Sequence, residues 1–177
     1  MKHGWGLLIV VVVGLIVGCA NAWAATGKAV IKGTTEGSRV SGSATLKDTP
    51  QGLKVVVKVA GVPPGTHGLH IHEQDACGDQ GKAAGGHFNP AGAPHGFLPK
   101  DRSTKAHAGD MGNIQVSRKG SGKATVVLPG VSLTGTGGTP SVDGRAIILH
   151  EKADDFGQPV GNAGGRIGCG VITISDK

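Results

Sequence analysis

The histidines are where this sequence is equipped for chemistry. Eight occur, and all but His3 fall between His67 and His150. His70 and His72 stand two apart in a strand-like segment, so both side chains leave the backbone on one face. His87, His95 and His107 follow in a stretch rich in glycine and proline, and His150 ends another strand-like segment. Imidazole suits copper and zinc, and copper(II) binds most tightly among the common divalent ions. A lone His-x-His is about as often a polar pair on a solvent face. That reading leaves the histidine-rich loop and His150 unexplained, so the group is read as a metal constellation.

The rest of the chain must hold these side chains in place. Its 177 residues make one domain once an N-terminal targeting segment is set aside. There are 33 glycines, no tyrosine and few aromatic residues, which argues against a core of large rings. Short strands joined by tight turns fit better. Segments rich in β-branched residues recur at Lys28 to Thr34, Arg39 to Leu46, Leu53 to Val59, Gly68 to His72, Asn113 to Val116, Lys123 to Val127, Arg145 to His150 and Val171 to Ile174. Several alternate apolar with polar residues, as Val55, Val57 and Val59 do around Val56 and Lys58, the mark of a strand with one buried face. The expectation is an all-β fold, an eight-stranded antiparallel sandwich or flattened barrel. Two segments do not read as strands, Glu73 to Gly109 and Glu151 to Gly168. Long loops of this kind are usually functional, and the histidines lie in or beside them.

The N-terminus reads as an export signal. Met1, Lys2 and His3 precede an almost unbroken apolar run from Trp5 to Val17, too short to span a bilayer comfortably as a mature helix. Residues 1–24 are read as this leader and 25–177 as the domain. Ile16-Val17-Gly18-Cys19 resembles a bacterial lipoprotein signal, cut before Cys19, whose thiol then carries lipid. The alternative is ordinary cleavage after Ala22 or Ala24. Either way the mature chain leaves the cytoplasm, for the periplasm or a membrane face turned away from the cytoplasm. Of three cysteines, Cys77 and Cys169 remain as a pair that can persist as a disulfide outside the cytoplasm. The formal charge of +6 attracts anions generally. It does not imply nucleic acid, because no Lys/Arg run is interleaved with stacking aromatics.

Four stretches, in order, resemble one family. Gly65-Thr66-His67-Gly68-Leu69-His70-Ile71-His72-Glu73 resembles the first signature of the copper/zinc superoxide dismutases. Gly86-His87-Phe88-Asn89-Pro90, His95-Gly96 and His107-Ala108-Gly109-Asp110-Met111-Gly112-Asn113 resemble that family's zinc loop. Gly144-Arg145 through His150 to Asp155 resembles the last copper-ligand segment, and Gly161 to Gly170 the second signature. The resemblance implies a Greek-key flattened barrel, immunoglobulin-like, with two long functional loops. It implies copper ligands at His70, His72, His87 and His150, and zinc ligands at His87, His95, His107 and Asp110. His87 would bridge the metals. Asp154 would link His70 to His95, His67 would bond backbone rather than metal, and Arg166 would dock an anion beside copper, near a Cys77–Cys169 bridge.

The implied activity is dismutation of superoxide to dioxygen and hydrogen peroxide, with His87 taking and giving a proton. Departures bear on how the anion is steered. The segment Asp155 to Gly165 is shorter than in the animal cytosolic enzymes and lacks their charged cluster; Pro159 and Val160 fall where a lysine and a threonine line the channel mouth there. Lys100, Asp101, Arg102 and Lys105 either add to the field or keep an exposed loop solvated. Partners reduce to superoxide, a membrane only through a lipid anchor, and a second copy in a homodimer, since family branches differ in assembly. A metal-buffering relative would lack a copper ligand or the arginine, and a copper-only enzyme would lack the zinc ligands. A structural zinc sandwich would leave His70, His72 and His150 without a reason.

Overall fold

The computed structural model describes Met1 and residues 25–175; the expected leader, with Cys19, lies outside them. Among the described residues, eight antiparallel strands close into a barrel. They are β1 (Thr26–Gly33), β2 (Ser41–Thr49), β3 (Gly52–Ala60), β4 (Gly65–His72), β5 (Asp110–Val116), β6 (Gly122–Leu128), β7 (Ala146–His150) and β8 (Arg166–Ile174). Around the barrel the order is β1-β2-β3-β6-β5-β4-β7-β8. The pairs β3 with β6 and β4 with β7, adjacent in space but not in sequence, are the Greek-key crossings.

Strict alternation builds the interior. In β1 and β3 every second residue is buried, placing Ala29, Ile31, Leu53, Val55, Val57 and Val59 inside. Each larger aliphatic side chain buried this way contributes roughly 1.5–3 kcal/mol. Phe88 is the one ring among these buried core residues, in keeping with the scarcity of aromatics.

β8 differs from the sequence expectation. It begins at Arg166 rather than at Val171, because Gly168 and Gly170 serve as strand rather than loop. A Cβ on Gly170 would stand 3.1 Å from Ile31 Cα, so the glycine allows β1 to approach closely. The first long loop also contains a 3-10 turn at Asp79–Ala84 and a short helix, α1, at Leu98–Asp101. Both are too short to show a helical period in the sequence.

β4 and β7 bury both faces. Leu69 and Ile71 join the barrel core, which turns His70 and His72 to the outer face, beneath the two loops. A second apolar cluster of Ala84, Ala146, Ile148 and Cys169, with Cys77 packed against it, seals the first loop to this outer face. Cys77 and Cys169 form a disulfide across 92 residues.

Candidate metal centre

His70 lies opposite Ile148 on β7, and His150 is two residues further along. The two imidazoles are therefore diagonal neighbours on one face, with centroids 4.9 Å apart. His87 comes from the first loop, tied by a β-bridge to His72. The next residue, Phe88, donates its N–H to Ile71 O at 2.9 Å. His70, His72, His87 and His150 are all buried, and each offers a ligand atom within 4.8 Å of the others.

Three of these rings are fixed by their far nitrogen. His70 Nε2 donates to Asp154 Oδ2 at 2.8 Å, His72 Nδ1 to Gly85 O at 3.0 Å, and His150 Nδ1 to Gly164 O at 3.3 Å. These oxygens only accept, so the proton sits on the bonded nitrogen and the other nitrogen presents a lone pair. Those other atoms, His70 Nδ1, His72 Nε2 and His150 Nε2, are buried without a hydrogen-bond partner. A buried polar atom left unpaired is costly. Three in one cluster, all lone-pair donors, suit a cation that prefers imidazole.

The second cluster is His87, His95, His107 and Asp110. Asp110 Oδ1 lies 3.0 Å from His87 Nδ1 and 3.2 Å from His107 Nδ1. Asp110 Oδ2 lies 2.9 Å from His95 Nδ1, yet His95 Nδ1 makes no aligned hydrogen bond. The Nδ1 atoms of His87 and His107 face each other at 3.3 Å. Ligands held 2.0–2.1 Å from a tetrahedral zinc would stand about 3.3 Å apart, so this spacing already fits the ion. His87 is common to both four-residue clusters.

Asp154 ties the clusters together. Its Oδ2 accepts from His70 Nε2, and both its oxygens lie 3.0 Å from His95 Nε2. The backbone of Asp154 is itself gripped by Asn113, whose Oδ1 accepts from Asp154 N–H at 2.8 Å and whose Nδ2 donates to Asp154 O at 2.9 Å. Asn113 stood inside a motif in the sequence, with no role assigned. An amide can donate and accept at once, but only the folded chain brings β5 against the second loop. His67 offers no ligand atom to either cluster: its ring nitrogens lie 2.9 Å from the backbone carbonyls of His150 and Pro63.

Burial sets the protonation of the rings. It pushes His87 down to about 4 and His150 down to about 3, and lowers His72 as well. All three are neutral donors at neutral pH. Burial also pulls on His95, but the nearby carboxylates of Asp110 and Asp154, the latter accepting from Nε2, outweigh it and raise His95 to about 9. Burial would raise both carboxyls; the histidine hydrogen bonds prevail and hold them well below the usual carboxylate range.

Arg166 is half-buried, with Nη1 on Gly81 O and Nη2 on Gly85 O, both at 2.7 Å. It lines an opening of about 270 Å³ with His72, His87, His150, Val160 and Gly161. Arg166 is the one charged side chain in that lining among the described residues. Lys100, Arg102 and Lys105 are solvent-exposed and absent from the lining. Asp101 accepts from Phe97 N–H at 2.8 Å.

Comparison with known proteins gives one family. Residues 40–172 match the family model described as copper/zinc superoxide dismutase. The superoxide dismutase [Cu-Zn] of Deinococcus radiodurans is 37% identical over 164 residues, 87% of each chain. The extracellular superoxide dismutase [Cu-Zn] of Haemonchus contortus is 36% identical over 181 residues, 95% of this chain and 96% of its own. The corresponding protein of Caulobacter vibrioides is 38% identical over 75% of this chain and 78% of its own. Among solved structures, the clock protein EA4 superposes with a TM-score of 0.74 and 33% identity, covering 99% of this chain and all of that one.

Proposed function

The chain belongs to the copper/zinc superoxide dismutase family, an oxidoreductase that uses copper and zinc, and from that premise we propose how its residues divide the work. The reaction is the dismutation of superoxide to dioxygen and hydrogen peroxide. His70, His72, His87 and His150 hold copper, and His87, His95, His107 and Asp110 hold zinc. The observation that carries this reading is the set of three buried, unpartnered lone pairs on His70 Nδ1, His72 Nε2 and His150 Nε2. Copper held by these four histidines would supply the one-electron redox chemistry that dismutation needs.

The protein's own groups do the rest. Arg166 offers an always-charged donor fork to a small anion, and its carbonyl partners Gly81 and Gly85 fix where that fork points. Among the described residues no carboxylate lines the opening, so the charge of Arg166 draws anions inward. His87 Nε2 carries one of the two protons that hydrogen peroxide needs. Asp154 holds the rings of His70 and His95 at fixed angles, as the outer partner of a ligand commonly does. A zinc ion held by these four side chains would have no open position for substrate and would serve structure.

We also read residues 1–24 as the export leader, cut before Cys19, which then carries the lipid, and residues 25–177 as the enzyme domain. The Cys77–Cys169 disulfide suits an oxidising compartment, and one relative is named extracellular. The mass of the mature N-terminus, with and without Cys19→Ala, tests this. A lipid-sized mass on Cys19 and membrane retention are expected; an unmodified N-terminus after Ala22 or Ala24 sinks the anchor.

The activity itself is tested with the copper- and zinc-reconstituted domain beside His150→Ala and Arg166→Ala. High dismutation that falls steeply in both supports these roles. Two bound metals without dismutation would make the domain a metal buffer.

A further inference from the structure

The second loop reaches across the site and grips His95 at two points besides Asp154. Gln158 Oε1 accepts from His95 N–H at 3.0 Å, and Gln158 Nε2 donates to His95 O at 2.8 Å. One side-chain amide thus satisfies both backbone groups of a residue 63 positions away. Phe156 lies over the imidazole of the same residue, with centroids 6.3 Å apart and planes 23° from parallel. The ring of Phe97, two residues beyond His95, closes on Phe156 at 6.1 Å.

The way this grip is built separates it from ordinary packing. Phe156 is 41% exposed and Gln158 is exposed, whereas the His95 ring they hold is wholly buried. Neither side chain belongs to the barrel core, so the fold does not need them for its interior. Phe156 also sits in left-handed backbone, at φ 60°. A non-glycine residue keeps that conformation only where its surroundings enforce it. Here Phe156 N–H donates to Asp154 Oδ1 at 2.9 Å. The rest of the turn is braced by Asp155, whose oxygens accept from Gly157 N–H at 2.9 Å and from the Asn162 amide at 2.8 Å.

We propose that Phe156 and Gln158 are positioning residues for the zinc site. Gln158 fixes the backbone of His95, and Phe156 fixes its ring plane and shields it from water. His95 Nδ1 is then held facing Asp110, His87 and His107 before metal arrives. This short loop so takes on the retention of the metal in the neighbouring loop. The proposal rests on the reading of His87, His95, His107 and Asp110 as the zinc ligands.

The test uses the purified domain with its disulfide intact, stripped of metal and then loaded with zinc alone or cobalt(II) alone. Zinc release into excess chelator is timed for the parent and for Phe156→Ala, Phe156→Tyr, Gln158→Ala and Gln158→Glu. The cobalt ligand-field spectrum and the melting temperature of the metal-free protein are recorded for each. Phe156→Ala and Gln158→Ala should release zinc about tenfold faster or more and shift the cobalt spectrum. Their metal-free melting temperatures should stay near the parent's. Phe156→Tyr keeps the stacked ring and should behave as the parent. Gln158→Glu keeps the acceptor, loses the donor, and should fall between. Parent-like release and spectra in both alanine variants overturn the grip, as does a loss tracked fully by the metal-free melting temperature. Asp110→Asn is the control for the underlying reading. If it too keeps zinc like the parent, the zinc site itself is misassigned and the proposal falls with it.

Discussion

His72 and Arg166 donate to one and the same acceptor, the carbonyl of Gly85, at 3.0 and 2.7 Å. A proposed copper ligand and the proposed anion-binding guanidinium are thereby set by a single peptide group in the first loop. That peptide follows the 3-10 turn Asp79–Ala84, whose Ala84 packs with Cys169 beside the disulfide. The loop aims the arginine; the barrel aims the histidine; Gly85 ties the two.

Arg166→Lys should therefore cost activity although it keeps the charge. An ammonium cannot span Gly81 O and Gly85 O and still present a planar fork. Hydrogen bonds to charged groups are worth about 1.5–3 kcal/mol, so kcat/KM should fall about tenfold or more with copper content unchanged. Steady-state dismutation with metal analysis on the same sample checks this, and loss of copper in step with activity would contradict it.

Opening the disulfide should act at two levels. A loop spanning 92 residues constrains the unfolded chain by about 4–5 kcal/mol in the entropic picture. The Cys77→Ser, Cys169→Ser variant should lose up to that in denaturant titration. It should also lose dismutation at temperatures where it remains folded, because Gly81 and Gly85 are freed to move the arginine. Full activity in a folded variant would sever this link.

The metal-free domain should be most stable near neutral pH. His87 and His150 bind protons more weakly when folded, about 4 and 3 against 6.5. Their contribution is whole above the unfolded value and is lost as pH falls from 6.5 toward 4. His95 runs the other way, raised to about 9. Its contribution is whole below 6.5 and fades as pH rises through 9. Melting temperature against pH should show a maximum between these limbs. A matching consequence is proton release when zinc binds at pH 7 to 8, since His95 must give up its proton to ligate. Calorimetry in buffers of differing ionisation enthalpy reads that proton directly.

Gly161→Ala should damage the link between the clusters while sparing the barrel. Gly161 lies in left-handed backbone at φ 73°, and an added Cβ would meet Asp154 Oδ1 and stand 3.1 Å from His95 Nε2. Displacing Asp154 should weaken zinc retention by about tenfold or more. The barrel core contains no atom of this loop, so the melting temperature of the metal-free domain should move little. Unchanged zinc affinity would show that Asp154 adapts.

The barrel was legible in the sequence because burial in a half-exposed strand leaves a period of two, as in Leu53, Val55, Val57 and Val59. The donor types were legible because few residues bind copper and zinc, and the motifs around His70, His87, His107 and His150 carry a family resemblance. β8 was underread because glycines that permit close strand approach look, in sequence, like glycines that make loops. What only the tertiary structure decided are the contacts that the loops make with each other and with the strands beneath them. Asn113 on Asp154, Gln158 on His95, and Gly85 shared by His72 and Arg166 join residues 41, 63 and 81 positions apart. Such contacts have no period and no local spacing; they exist because two loops fold back over one face of the same two strands.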